Sequence, residues 1–236
     1  PTALMPMSGL ERNFGLDQSR SHTLWIKRDD RSWSPLGGNK ARKLEFIIAD
    51  ALAKRADTIV TSGMYGSNHA LATAVAGQKF GFKVRLILGP QPITDDVKKK
   101  LLAFHALGAE LEYHASETGM GVSMLENFVK GAYIDSKKFY LPPGGSSKPG
   151  MLGYVNAFYE LLEQTTLDNF PNRIIVPQGS GGTIAGLLVG SCISGNWEKV
   201  KMVGIGVASP ELTGEKQVRR DAWSLYRFIR AHLGEK

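Results

Sequence analysis

Apolar positions along the chain follow two alternating periods. Short runs at Thr23 to Lys27, Thr58 to Ser62, Val84 to Leu88, Glu110 to Tyr113, Phe139 to Leu141, Arg173 to Val176 and Lys201 to Val207 read as strands. Between them, Leu44, Ile47, Ile48, Ala51 and Leu52 recur at helical spacing and make one apolar stripe. Similar stripes lie at Leu71 to Ala76 and Leu101 to Leu107, and Arg219 to Leu233 reads as a final amphipathic helix. This alternation predicts an α/β fold of mostly parallel sheets covered by helices on both faces. The run Pro142 to Gly150 is the strongest break in the pattern, either a hinge between two lobes or an ordinary surface loop.

Three glycine-containing segments carry candidate chemistry. Gly179, Ser180, Gly181, Gly182 and Thr183 follow a predicted strand and open the helical run from Ile184. Glycines let successive N–H groups face one point, and a helix N-terminus adds partial positive charge, so the segment suits an anion as well as a plain tight turn. It lacks the Gly-Lys-Ser/Thr ending of a Walker loop and has Ile184 where the dinucleotide fingerprint wants glycine. A variant fingerprint of Gly179, Gly181 and Ala185 has no acidic residue after the next strand to hold a ribose. Gln178 stands where a nucleophile elbow needs glycine, which argues against hydrolase chemistry at Ser180.

In the second segment, Gly37 and Gly38 lead into the helix that begins near Lys40. A cation in a first helical turn opposes the helix dipole by about 0.3–1 kcal/mol, and Arg42 and Lys43 are expected to add like-charge repulsion. That placement fits either a solvent-facing lysine or an amine that must lose its proton to act as a nucleophile. The third segment, Gly66, Ser67, Asn68 and His69, follows a predicted strand. Ser67 is a natural N-cap, and a turn at the carboxyl end of a strand is also where open α/β sheets bind ligands, here a carboxylate.

Composition narrows the classes. With 236 residues and 42% hydrophobic content, the chain can bury roughly 70% of its unfolded surface. No apolar run approaches the ~18 residues of a membrane span, and the start has no signal-peptide pattern. The lone Cys192 excludes an internal disulfide or a Cys-rich metal site and points to a reducing, cytoplasmic setting. The net charge of +7 is dispersed; Lys98, Lys99 and Lys100 form the only triple run and read as a solvated helix face, so no nucleic-acid partner is expected.

In order, "IKRDD" at Ile26 to Asp30, "GGNKARKLEF" at Gly37 to Phe46, "GSNH" at Gly66 to His69, "PPGGSSKPGMLGY" at Pro142 to Tyr154 and "GSGGT" at Gly179 to Thr183 resemble one family. It is the D-cysteine desulfhydrase and 1-aminocyclopropane-1-carboxylate deaminase branch of the fold-type II pyridoxal phosphate (PLP) enzymes. The resemblance covers about Pro1 to Ser209 and implies a two-lobed, tryptophan synthase β-like fold. Residues 1–45 and 150–236 would form the large PLP-binding lobe and 46–149 the small lobe. It implies that Lys40 forms the Schiff base with PLP and moves the substrate's α-proton. Gly179, Ser180, Gly181, Gly182 and Thr183 would cradle the phosphate, and Asn68 would bond the ring hydroxyl. Ser67, Asn68 and His69 would receive the substrate carboxylate, with Ser67 as nucleophile or proton relay. His69, where ring-opening deaminases resemble one another in carrying Gln, and Gly144 to Ser147 lean toward the desulfhydrase side. The expected reaction is α,β-elimination of a small amino acid to pyruvate, ammonia and sulfide. The alternatives are a deaminase-like enzyme or a PLP-binding relative without catalysis. A homodimer is implied.

The sequence departs from the family at two places. Gly63, Met64, Tyr65 and Gly66 stand where relatives read Gly-Gly-Ile-Gln before the Ser-Asn pair, and the changed residues are expected to face the substrate. After Ser209 only Pro210 to Lys236 remain, so the C-terminal part of the large lobe is expected to be shortened.

Overall fold

The structure, a computed structural model, describes residues 1–16, 23–34, 36–133, 137–166, 168–207 and 214–234. Ser209 and Pro210, where the family resemblance ends, lie outside them. The elements in order are β1 (Leu4–Pro6), α1 (Ser8–Asn13), β2 (Trp25–Lys27), α2 (Asn39–Ala53), β3 (Thr58–Met64), α3 (Asn68–Phe80), β4 (Lys83–Gly89) and α4 (Asp95–Ala106). They continue with β5 (Glu110–Tyr113), α5 (Glu117–Tyr133), β6 (Lys138–Leu141), α6 (Lys148–Gln164), β7 (Arg173–Gln178), α7 (Gly182–Ile193), β8 (Lys201–Gly206) and α8 (Glu215–His232). Each predicted strand has a counterpart, and the α/β expectation holds. β1 escaped notice because three residues carry no period.

The larger sheet is parallel in the order β5-β4-β3-β6, with Ile59 opposite Val84 and Phe139, and Leu86 opposite Leu111. β7 and β8 form a separate parallel pair, and β1 and β2 an antiparallel one. Ile59, Leu86, Ile87 and Leu88 are completely buried, as continuous apolar runs in covered parallel strands should be. One core joins Leu44, Ile47, Ile48 and Ala51 of α2 to Ile59, Ala72, Ala76 and Leu141. Leu52, the fifth member of the predicted stripe, is 52% exposed and borders a cleft of about 540 Å³ beside Trp33 and Phe80. A second core joins Met151 and Val155 of α6, Ile184, Ala185 and Val189 of α7, and Val218 and Leu225 of α8.

The glycine- and proline-rich run at Pro142 to Gly150 is tightly structured. Pro143–Gly145 form a 3-10 turn, and Ser147 caps α6 by accepting from Gly150 N at 3.2 Å. Pro149 lies in the first turn of that helix, where a missing N–H costs nothing. Gly150 and Gly153 stay bare because a Cβ would strike the Gly145 carbonyl or the backbone of Arg42. The 45/46 boundary falls inside α2, which packs on α3 and on α6.

Candidate functional site

Three helices begin at one cleft. The chain enters α2 through Gly37 (φ +57°) and Gly38 (φ +81°), left-handed values that side chains resist. It enters α7 through Gly181 (φ +77°). Neither helix has a side-chain cap, so first-turn N–H groups remain available, and the two positive helix ends reinforce one another. α3 starts at Asn68 beside them. The cleft has a volume of about 280 Å³ and is lined by Asn39, Lys40, Asn68, Gly179 to Gly181 and Thr183, with Pro177, Gln178, Ile184 and Val207 completing the wall. The lysine predicted as nucleophile, the asparagine and the glycine turn therefore share one space, and the solvent-facing alternative for Lys40 is excluded.

Lys40 lies against the turn. A Cβ added at Gly144 would overlap Ser180 Oγ and lie 4.0 Å from Lys40 Nζ. Burial pushes the Lys40 amine below the ordinary lysine value, which favours its neutral, nucleophilic form. The expectation that Arg42 helps in this is corrected. Two residues along a helix point to different faces, and Arg42 turns away to pair with Glu160 and Asp29, each at 2.8 Å. Its charge is neutralised there, in a network that also holds Thr2, Lys27 and, through Asp29, Tyr154.

Lys43 was noted in the sequence only as a like charge. It stands three residues after Lys40, on the same side of α2, and is 1% exposed. Its amine donates to Gly144 O at 3.0 Å and lies where a Cβ at Gly182 would meet it at 2.9 Å. Burial, with the nearby Lys40 second, holds it well below the ordinary lysine value, while Asp221 of α8 acts in the opposite sense. A buried amine with one carbonyl partner, sunk beneath a glycine turn, is placed to take up a proton and complement a phosphoryl group. A Cβ at Gly182 would also lie 2.5 Å from Ser146 Oγ, which donates to Ser180 Oγ at 2.7 Å. The signal for Lys43 was a lysine on the apolar side of an amphipathic helix. Ser146 gave none.

The Ser67–His69 corner is divided. Ser67 Oγ accepts from Ala70 N at 3.2 Å, the predicted cap, and its own N–H donates to Met64 O at 2.9 Å. His69 is 4% exposed and its ring points inward, so its side chain is not brought to the cleft. Thr61 Oγ1 lies 3.0 Å from His69 Nε2 and donates to Leu141 O at 2.8 Å. The single hydroxyl proton is thus committed, and Nε2 must carry the hydrogen. Burial, then Lys40 and Lys43, holds the imidazole neutral, well below the ordinary histidine value. Any carboxylate at this corner would meet backbone N–H groups of Asn68 and His69, the first residues of α3.

Met64 and Tyr65 do not face the cleft, contrary to expectation. Tyr65 OH donates to His114 O at 2.8 Å and its ring meets Tyr113 edge-on, while Met64 Sδ lies beside Gly89. The Lys98 and Lys100 side chains pair with Asp95 and Asp96 along α4, as a solvated helix face should. Among the described residues no cluster suits a metal ion and no helix is long and apolar enough to cross a membrane.

Comparison with known proteins places this geometry in a family. The profile of the family described as pyridoxal-phosphate dependent enzyme matches residues 1–227. The chain is 35% identical over 222 residues to a putative 1-aminocyclopropane-1-carboxylate deaminase of Pyrococcus abyssi, covering 92% of this chain and 64% of that protein. It is 37% identical over 188 residues to the mitochondrial bifunctional D-cysteine desulfhydrase/1-aminocyclopropane-1-carboxylate deaminase of Arabidopsis thaliana, covering 75% and 47%. The solved structure of an ACC deaminase homologue superposes with a TM-score of 0.79 at 32% identity, over all of this chain and 68% of the other. The chain thus spans about half to two-thirds of the length of the curated relatives it matches. With a lysine, an asparagine and a glycine turn gathered at three helix starts, and with these matches along nearly its whole length, the chain belongs to the pyridoxal-phosphate dependent enzyme family.

Proposed function

We propose that the cleft binds PLP and that the protein is a lyase or deaminase of small amino acids, with D-cysteine desulfhydrase-like elimination as the leading reaction. The observation that carries this reading is the convergence of Lys40, Asn68 and the glycine turn on one cleft, over a buried second amine. Gly179 to Thr183 and Lys43 would hold the phosphate, the turn through N–H groups and the lysine through charge. The anion would restore the proton that burial disfavours on Lys43. Asn68 would hold the ring hydroxyl, and Lys40 would be the point of covalent attachment. When bound, the cofactor supplies an electron sink that makes an amino acid's α-proton removable.

The remaining chemistry falls to the protein. Lys40, whose proton burial makes easier to lose, would take the α-proton. The first N–H groups of α3 would orient the carboxylate, and Ser67, the cap of that helix, would serve as nucleophile or proton relay. For D-cysteine, loss of the α-proton and then of the β-thiol, followed by hydrolysis, gives pyruvate, ammonia and hydrogen sulfide. The paired activities in the name of the Arabidopsis relative favour 1-aminocyclopropane-1-carboxylate as a second substrate to try. His69 would influence that choice only from behind the site, since its ring is bound to Thr61. A cytoplasmic homodimer belongs to the same reading.

Purified protein with added PLP should turn yellow, and borohydride should fix the cofactor on the peptide containing Lys40. Lys40→Ala should stay colourless. A parent protein that never colours would sink the proposal. Release of sulfide and pyruvate from D-cysteine, against 2-oxobutanoate and ammonia without sulfide from the cyclopropane substrate, separates the two reactions.

A further inference from the structure

Asn39 opens α2 immediately before Lys40 and lines the same cleft as Thr183. Its Nδ2 donates to Thr183 Oγ1 at 3.2 Å, across 144 positions of sequence. A hydroxyl has one proton and two lone pairs. Thr183 Oγ1 receives the Asn39 amide, so its own proton is left for another acceptor, and among the described residues none takes it. Thr183 is the second residue of α7, where the uncapped N–H groups already face the cleft. Ser146 also reaches the anion turn from outside, its Oγ 2.7 Å from Ser180 Oγ and 3.3 Å from the Ser180 carbonyl oxygen.

We propose that Asn39 is a positioning residue, which orients the Thr183 hydroxyl as a donor to a phosphoryl oxygen in the cleft and so couples the anion turn to the helix that carries Lys40. This rests on the reading of the cleft as a PLP site. Asn39 acts through Thr183, so its contribution belongs to the phosphoryl group and not to the rest of the ligand. It also vanishes when the Thr183 hydroxyl is gone.

The test compares Asn39→Ala, Thr183→Val and the double variant, each titrated by absorbance with PLP and with pyridoxal, which has no phosphoryl group. Each single variant should weaken PLP by about tenfold, the scale of one hydrogen bond to a charged group, and leave pyridoxal within about twofold. The double variant should bind PLP no more weakly than Thr183→Val alone. Equal losses of PLP and pyridoxal in Asn39→Ala would overturn the proposal. So would a full further loss from Asn39→Ala in the Thr183→Val background. Should Asn39→Ala fail to fold, the near-isosteric Asn39→Asp decides. It can only accept from Thr183, so it turns the hydroxyl proton away and should lose PLP selectively; parent-like PLP binding would refute the role. A parent that binds neither ligand fails the PLP reading itself, which is distinct from a parent that binds both with an indifferent Asn39.

Discussion

The two parallel sheets among the described residues are built to different standards. In the four-stranded sheet, the central residues of β3 and β4 are buried, and Ile59, Leu86, Ile87 and Leu88 have no exposure at all. In the pair β7–β8, one face packs Ile174, Val176 and Met202 against α6 and α7, while the other leaves Ile175, Ile205 and Val207 54–66% exposed. Yet β7 is the strand that delivers the glycine turn. The turn must then be positioned by the close seam of α6 on α7 and by α8, whose Val218 comes within 3.3 Å of a Cβ placed on Gly181. In one half, strands hold the fold; in the other, helices do.

Core truncation gives the sharpest way to break that contrast. Leu86→Ala should cost about 2–5 kcal/mol, because a fully enclosed site on β4 cannot collapse around the lost atoms. Urea unfolding would read this, and a loss below about 1 kcal/mol would mean the larger sheet is not the rigid half. The helical half should answer to overpacking instead. A Cβ on Gly186 of α7 would lie 2.5 Å from Met151 O and 2.6 Å from Tyr154 Cβ. Gly186→Ala should cost about 1–3 kcal/mol and loosen PLP through the turn at the head of α7. Unchanged stability and PLP titration would show that the seam does not position the turn.

Acid sensitivity separates the halves more finely. Burial pushes the Glu112 carboxyl on β5 up, but hydrogen bonds from Ser123, from Arg85 at 2.6 Å and from His114 outweigh it and hold the group down to about 2. A depressed carboxylate stabilises fully above its unfolded value of about 4.5, and that stability is lost as pH falls toward about 2. Because the group is partly exposed, the contribution is on the order of 1 kcal/mol. Glu112→Gln should flatten this part of the pH dependence of unfolding. The same steepness in both proteins would assign the acid loss elsewhere, with Glu160, whose carboxyl is held low mainly by Arg42 and Lys27, as the next group to change.

What the sequence revealed followed from how local each feature is. The glycine turn, Lys40 in a first turn and the Ser67 cap are set by neighbours within a few positions, and all three were legible. Lys43, Asn39 and Ser146 were not, because their partners Gly144, Thr183 and Ser180 lie 34 to 144 positions away. α6 was hidden for another reason. Its opening Pro-Gly reads as a breaker, whereas the proline suits a first turn and the glycines admit a crossing helix.

The bare face of β7–β8 yields the smallest expected effect and the most direct check on the contrast. Parallel strands are normally covered on both sides, so Ile175 on an open face gains little from burial, and its replacement has little to lose. Ile175→Thr keeps a β-branched side chain and the strand preference while removing apolar surface, and should move stability by no more than about 0.5 kcal/mol. A loss of about 2 kcal/mol would require that Ile175 be enclosed in solution. Repeating the measurement across a hundredfold range of protein concentration then tells whether the cover is another molecule. A cost that grows with concentration assigns it to association, and a cost that stays fixed assigns it to the chain's own residues.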